Sequence, residues 1–281
     1  MNDNVKADFL LQLSKFAGTL AERLACCGEW NVRGFIDIFR NIYAISTDSK
    51  VVSKVLEIHL LPELMRFAEF SGYEIEPAEK QNWYPDFTFI HKNNSKIKFA
   101  VDLKTTYRDD KHLGFCNGFT LGSHGEYFTD RGSTKNIQYP YSQYSGHLCL
   151  GIIYSRNEAS FCGADIYPES ELLRIPAVIK DFTFFAMEKW RIASDKPGSG
   201  NTANIGSIQY VDDIISGNGV FALAGEKIFD DYWINFGKIN IPCDDGKYKR
   251  LSSFAEYLRY RGLPESLNNQ RKSRRGELTH A

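Results

Sequence analysis

The chain has 281 residues, enough to bury a substantial core as one large domain or one domain with lobes. Hydrophobic residues make up 43% and charged residues 25%, the balance of an ordinary soluble globular protein, and the formal net charge of −1 gives no sign of a polybasic nucleic-acid binder. A basic cleft can still exist if acidic ligands and an acidic outer surface offset it. No apolar run is long enough to cross a bilayer, and the N-terminus lacks a basic segment followed by an apolar one, so neither a membrane span nor a signal peptide is expected.

Residues 6–25 carry Phe9, Leu13, Phe16, Leu20 and Leu24 at helical spacing and predict an amphipathic helix. With its flanks it makes segment 1–40 a helical N-terminal extension of a single domain spanning 1–281. Thr47-Asp48-Ser49 offers a cap before the helical pattern of Val51, Val52, Val55 and Leu56, and Pro62 is expected to end or kink that helix. After Ser71-Gly72 the predicted strands are 86–91, 97–104, 148–154, 182–193 and 205–210. A helical start, a strand group and then mixed elements argue for an α/β (α+β) fold with a mixed central sheet flanked by helices. Segment 263–281 is a basic tail, with Arg271, Lys272, Arg274 and Arg275 within five residues. The cysteines Cys26, Cys27, Cys116, Cys149, Cys162 and Cys243 form no C-x-x-C, and several, in apolar strand-like stretches, read as small buried thiols of a reducing cytoplasm.

The chemistry concentrates in two of these strands. Asp86 follows Tyr84-Pro85 at the start of one, and Asp102 and Lys104 lie in Val101-Asp102-Leu103-Lys104-Thr105-Thr106-Tyr107. Strand side chains alternate faces, so Asp102 and Lys104 share a face that Leu103 does not. A turn through Lys92-Asn93-Asn94-Ser95 would fold the second strand back and set Asp86 beside Asp102. Two carboxylates with a cation suit a divalent metal and a phosphate, since phosphodiester hydrolysis needs an activated water, charge neutralised at phosphorus and a stabilised leaving oxygen. Asp86, Asp102 and the carbonyl of Leu103 are candidate ligands for Mg²⁺, with Mn²⁺ as a substitute. Lys104 is the candidate for stabilising the transition state or orienting water. Glu57, on the preceding helix, is a candidate further ligand.

No H-E-x-x-H, no G-x-x-x-x-G-K-[ST] and no G-x-S-x-G occurs, so zinc peptidase, ATPase and serine hydrolase readings find no support, and the histidines read as structural or surface residues. Two polar segments remain. Pro197-Gly198-Ser199-Gly200-Asn201-Thr202-Ala203-Asn204 is small enough to let backbone approach base edges, and asparagine reads adenine bidentately, although a plain flexible turn has the same composition. Ser133-Thr134-Lys135-Asn136 suits phosphate contacts and equally suits an ordinary polar loop.

Taken in order, the segments Thr47-Asp48-Ser49-Lys50-Val51 leading to Glu57, Gln81-Asn82 before Tyr84-Pro85-Asp86-Phe87-Thr88, and Asp102-Leu103-Lys104-Thr105-Thr106-Tyr107 form a pattern. Thr120-Leu121-Gly122, Thr134-Lys135-Asn136-Ile137, Gly198-Ser199-Gly200-Asn201-Thr202 with Asn204-Ile205-Gly206, and Asp231-Tyr232-Trp233 continue it. Over residues 41–262 this pattern resembles the EcoRV family of type II restriction endonucleases, within the PD-(D/E)xK nuclease superfamily. The resemblance implies a restriction-endonuclease-like core and a homodimeric, Mg²⁺-dependent endonuclease on double-stranded DNA. The family's target is GATATC, cut at its centre to leave blunt ends. Asp86 and Asp102 would bind metal, Lys104 would be the catalytic lysine and Glu57 the accessory carboxylate. Gly198, Ser199, Gly200, Asn201, Thr202 and Asn204 would read the major groove, Gln81 and Asn82 would approach the minor groove, and Thr106, Tyr107 and Lys135 would hold phosphates. A cognate DNA methyltransferase would be the functional partner. Lys80 and Trp83 depart from the family pattern, which has glutamine and histidine there. The competing readings are a structure-specific repair nuclease or resolvase on the same core, and a DNA-binding module without catalysis.

Overall fold

The apolar stripe of the N-terminal segment folds as expected. In the computed structural model, which describes residues 2–109, 111–112, 114–157, 165–198, 203–242 and 246–269, helix α1 runs Asn2–Leu24 and buries Phe9, Leu13, Ala17, Leu20 and Leu24. Strands β1 (Ala25–Cys26) and β2 (Glu29–Trp30) follow as a hairpin. Its two-residue turn, Cys27-Gly28, has φ of 54° and 81°, the left-handed pair that matches strand twist. Segment 1–40 is therefore helical only to Leu24. A second hairpin pairs β3 (Gly34–Ile36) with β4 (Asn41–Ala44).

Helix α2 (Ser49–Ser71) starts where the Asp48 carboxylate accepts from the amides of Lys50 and Val51, a cap worth about 1 kcal/mol. It ends at left-handed Gly72. Pro62 neither ends it nor marks its boundary. The ring sits on the exposed face, where water can serve the carbonyl that loses its partner, while Leu60, Leu64, Phe67 and Ala68 stay buried on the other side.

The remaining strands are β5 (Tyr73–Pro77), β6 (Phe87–His91), β7 (Lys98–Tyr107), β8 (Thr120–Ser123), β9 (Gly146–Arg156), β10 (Ile166–Pro168), β11 (Ile179–Glu188), β12 (Ala193–Pro197), β13 (Asn204–Ser207), β14 (Asn240–Pro242) and β15 (Tyr248–Arg250). Further helices are α3 (Glu126–Thr129), α4 (Lys189–Ile192), α5 (Val211–Ser216), α6 (Glu226–Asn235) and α7 (Phe254–Arg261). The predicted strand 182–193 is thus interrupted: β11 stops at Glu188, α4 makes one turn, and β12 begins at Ala193.

Two compact units result, Met1–Asn117 with Ser142–Ala186, and Gly118–Tyr141 with Met187–Ala281. The first is built on a seven-stranded mixed sheet in the order β1-β2-β11-β9-β7-β6-β5. β5, β6 and β7 are antiparallel neighbours, and β7 and β9 are parallel from Phe99↔Gly146 to Tyr107↔Tyr154. One sheet face carries Phe87, Phe89, Phe99, Val101, Leu103, Leu148, Leu150, Ile152 and Tyr154 into a core shared with α1 and α2. Phe9 of α1 stacks on Phe99 at 4.3 Å between ring centres. Each fully buried side chain of this size contributes roughly 1.5–3 kcal/mol, so the helices are tied to one face and the opposite face is left for polar groups.

The second unit holds β8, β12 and β13 as a sheet in the order β12-β13-β8, with an aromatic core of Phe128, Phe221, Phe229, Tyr232, Trp233 and Phe254. Arg131 lies over the rings of Phe128 and Tyr141, at 4.4 and 4.2 Å, and pairs with Asp230 at 2.9 Å.

Candidate active site

The face of β7 turned away from the helices presents Asp102 and Lys104, because alternation that points Phe99, Val101 and Leu103 into the core sends their neighbours the other way. The β6–β7 register, Phe87↔Val101, sets Asp86 next to Asp102. The Asp86 amide lies 3.4 Å from Asp102 Oδ1, and Asp86 Oδ2 accepts from the Leu103 amide at 2.8 Å. Lys104 Nζ bridges the pair, 2.6 Å from Asp102 Oδ2 and 3.9 Å from Asp86 Oδ2. The hairpin anticipated through residues 92–95 therefore assembles both carboxylates and the lysine.

Charge balance at this cluster is incomplete. Burial and the neighbouring Asp102 push the Asp86 carboxyl up to about 7, against the opposing pull of Lys104 and the Leu103 amide. Burial disfavours the charge on Lys104, but Asp102 and then Asp86 outweigh it and raise the lysine above its ordinary value, so Lys104 stays protonated at neutral pH. With Asp86 lifted to about 7, two carboxylates and one ammonium leave less than one negative charge at neutral pH and about one above it, in a poorly hydrated place. That is the donor set a hard divalent cation takes: oxygen ligands, negative charge and a main-chain carbonyl, that of Leu103, next in sequence to Asp102. Asp86 and Asp102 fit such an ion. Among the described residues no group of three His, Cys, Asp or Glu side chains assembles a complete cage. Glu57 is partly exposed on α2, paired with Lys54 at 2.7 Å.

This chemistry coincides with a sequence relationship. The sequence profile of the family described as restriction endonuclease EcoRV matches residues 27–262. The chain is also 37% identical over 235 residues to the type II restriction enzyme EcoRV of Escherichia coli, covering 83% of this chain and 93% of that one. The chain belongs to the EcoRV restriction endonuclease family. The match starts at residue 27, so it takes in β2 and β3, which lie before residue 41, where the sequence resemblance begins. As an EcoRV-family member the chain is a nuclease acting on DNA.

The remaining predicted positions separate by environment. Gln81 and Asn82 are exposed in the loop before Asp86, where Lys80 Nζ stands 4.6 Å from the centre of the Trp83 ring. The two departures from the family pattern therefore touch each other as a cation–π pair. Thr106 is buried and its hydroxyl donates to the Asn117 carbonyl at 2.7 Å. Tyr107 is half-buried: its hydroxyl accepts from Asn117 Nδ2 at 3.2 Å, and the Arg156 guanidinium lies 3.5 Å from its ring centre. In the second unit Lys135 is exposed and pairs with Glu126 at 2.6 Å. Gly198 and Asn204 close the β12–β13 hairpin through the Gly198 amide and the Asn204 carbonyl at 2.7 Å. A Cβ on Gly206 would come within 2.7 Å of the Lys196 carbonyl oxygen, so glycine permits this close strand approach. Ser199, Gly200, Asn201 and Thr202 lie outside the described residues, as do Cys162, Cys243 and the basic cluster of the tail.

Sequence reasoning missed a buried polar group on the same sheet face. Tyr84 Oη lies 3.0 Å from His147 Nδ1, and Thr88 Oγ1 lies 2.9 Å from Tyr144 Oη. Tyr84 and Thr88 flank Asp86 at two residues either side, which was visible, but their partners are some sixty residues away and no local pattern announces them.

Proposed function

We propose that the chain is a type II site-specific deoxyribonuclease that cuts double-stranded DNA with Mg²⁺, at GATATC or a close variant, leaving blunt 5′-phosphate and 3′-hydroxyl ends. The observation that carries this reading is the Asp86–Asp102–Lys104 cluster on the polar face of the β6–β7 hairpin in an EcoRV-family chain. Asp86, Asp102 and the Leu103 carbonyl would hold Mg²⁺, with Mn²⁺ as a substitute and Glu57 as accessory carboxylate. A divalent ion bound there supplies a Lewis acid for the phosphate and lowers the pKa of a bound water. Lys104, protonated and fixed by Asp102, is set to neutralise charge that grows on the phosphoryl oxygens. The β6–β7 pairing keeps these groups in register before substrate arrives, so little reorganisation is left for the reaction.

Sequence discrimination would come from the β12–β13 hairpin, with Gly198, Ser199, Gly200, Asn201, Thr202 and Asn204 at the major groove and Gln81 and Asn82 at the minor groove. Thr106, Tyr107 and Lys135 would position the backbone. Bending at a central TA step, which unstacks easily, would let untouched bases contribute.

Among the described residues the chain carries one such cluster, so one chain for each DNA strand suits a double-strand cut, and a two-fold enzyme suits a palindrome. A second copy also fits an apolar surface on the first unit. Across β3, β4 and β10 the residues Phe35, Tyr43 and Ile166 lie directly opposite one another, all exposed, while Ile42 faces inward. Ile38 and Phe39 at the hairpin tip are 90% and 78% exposed, and Leu173 is 97% exposed. A patch of this kind marks an interface on a folded chain. A homodimer through this face, working beside a cognate methyltransferase that protects host DNA, completes the reading. Digestion of unmethylated DNA with sequenced fragment ends tests it. Shape-dependent cutting of junctions alone would favour a resolvase, and binding without any cutting would favour a binding module.

A further inference from the structure

One rung of the sheet beside the carboxylates is unusually polar. Thr88 of β6 lies opposite Ala100 of β7, and Ala100 opposite His147 of β9. The next rung in the same direction pairs Asp102 with Cys149, with Asp86 alongside Asp102. Alternate positions on a strand are about 6.6 Å apart, so the two rungs are immediate neighbours on one face. Ala100 is the small residue between Thr88 and His147. Tyr84 reaches in to place its hydroxyl 3.0 Å from His147 Nδ1, with the rings stacked at 5.8 Å. The Tyr144 ring packs against His147 at 5.4 Å between centres, and its hydroxyl meets the Thr88 hydroxyl at 2.9 Å. All four side chains are buried.

The consequence concerns Asp86. It precedes β6, where its carbonyl accepts from the Ala78 amide at 3.0 Å and its amide has only a long 3.4 Å contact to Asp102 Oδ1, whereas Asp102 lies inside the β7–β9 ladder. Its position depends on what anchors the residues around it. Tyr84 and Thr88, two residues before and two after, are each tied by a buried hydrogen bond, Tyr84 to His147 in β9, the parallel neighbour of β7, and Thr88 to Tyr144 just before it. A buried neutral bond of this kind fixes geometry because breaking it strands a polar atom away from water.

We propose that His147 and Tyr144, acting through Tyr84 and Thr88, are positioning residues that hold Asp86 against Asp102 for metal binding. The inference rests on the reading of Asp86 and Asp102 as metal ligands. Loss of either bond lets the Asp86 segment shift, and metal affinity falls while DNA contacts elsewhere are untouched.

The test compares the wild-type chain with Y84F and with Y144F, each of which deletes one hydroxyl and keeps the ring, and with H147N, whose amide can keep a polar partner for Tyr84. Mn²⁺ binding by calorimetry, DNA affinity in EDTA, single-turnover cleavage against metal concentration, and melting temperature are measured on each. The expected result is Mn²⁺ binding weakened five- to twentyfold in Y84F and Y144F, with a matching rise in the metal needed for half-maximal cleavage. DNA affinity in EDTA stays within twofold, and H147N lies closer to wild type than Y84F does. Wild-type Mn²⁺ affinity in both hydroxyl-deletion variants overturns the inference. So does a loss of cleavage that no metal concentration restores while Mn²⁺ still binds. If Y84F melts too low to assay, Y144F decides by the same criteria. A wild-type chain that neither binds Mn²⁺ nor cuts DNA overturns the proposed nuclease site itself, and the inference with it.

Discussion

Replacing Asp102 with asparagine separates binding from catalysis. The substitution keeps the shape and leaves an amide oxygen where Lys104 now meets the carboxylate at 2.6 Å, so Lys104 is not abandoned in a buried place. At about pH 8, where Asp86 is ionised, it changes the Asp86–Asp102–Lys104 cluster from about one net negative charge to about none. A DNA phosphate approaching to ~5 Å of that charge is repelled by about 3 kcal/mol at an effective dielectric of ~20. Mobile salt trims this to about 1–2 kcal/mol. Without metal, then, the variant should bind cognate DNA about tenfold more tightly than the wild type, since 1.4 kcal/mol is tenfold. Cleavage should move the other way. Losing one of two carboxylate ligands and the group that fixes Lys104 removes about 4 kcal/mol or more of transition-state stabilisation, a fall of about a thousandfold. Fluorescence anisotropy in EDTA reads the first effect, and quenched single-turnover cleavage in Mg²⁺ reads the second. Cleavage retained within tenfold, or DNA binding weakened in EDTA, would refute the placement of Asp102 beside the scissile phosphate.

Other consequences follow from single contacts. Gly151 lies opposite Lys104 in the β7–β9 ladder, and a Cβ there would sit 2.1 Å from the Phe185 ring, so Gly151→Ala should cost about 2–3 kcal/mol in unfolding free energy, read by denaturant titration. A variant as stable as wild type would mean the ring has room to move. Glu256 is half-buried, and burial opposes its charge. Hydrogen bonds from Lys249 and from the Ser252 amide and hydroxyl outweigh that and lower the carboxyl to about 2. Its stabilising contribution is therefore complete above about pH 4.5 and disappears as pH falls toward 2. The melting temperature of E256Q should lie below wild type at pH 6 and converge with it by pH 2, and a gap that stays constant would contradict the contact. Tyr43→Lys, in the middle of the exposed row between Phe35 and Ile166, should convert a dimer to a monomer in light scattering, and an unchanged mass would move the interface elsewhere. Asn201→Ala should lose discrimination between cognate and random DNA more than it loses affinity for random DNA, and an equal loss on both would make Asn201 a phosphate contact.

Local chemistry accounts for what the sequence disclosed. The alternation in β7 placed Asp102 and Lys104 on one face, and the polar turn at 92–95 brought Asp86 to them, because period and turn composition are both short-range. The stripe of α1 and the Asp48 cap of α2 were legible for the same reason. Misreadings arose where tertiary position overruled local preference. Pro62 continues α2 because it faces solvent, and the apolar run 182–193 is split by α4 because Lys189, Trp190 and Ile192 are buried through one helical turn. The 1–40 segment read as a helical extension because hairpins of two or three residues per strand carry too few positions to show a period. The clamp of Tyr84, His147, Thr88 and Tyr144 was invisible, since each pair joins distant segments through side chains that singly suggest nothing.

The central claim is that this chain is a metal-dependent, site-specific nuclease working through Asp86, Asp102 and Lys104. Its most direct test is a digest of unmethylated phage DNA with purified protein and Mg²⁺, run beside the Lys104→Ala variant, with all fragment ends sequenced. The wild-type protein should give discrete fragments with blunt ends at GAT and ATC, and the variant should leave the DNA intact. Reproducible cutting at an unrelated sequence would contradict the proposed specificity, and equal cutting by Lys104→Ala would remove this site from the chemistry.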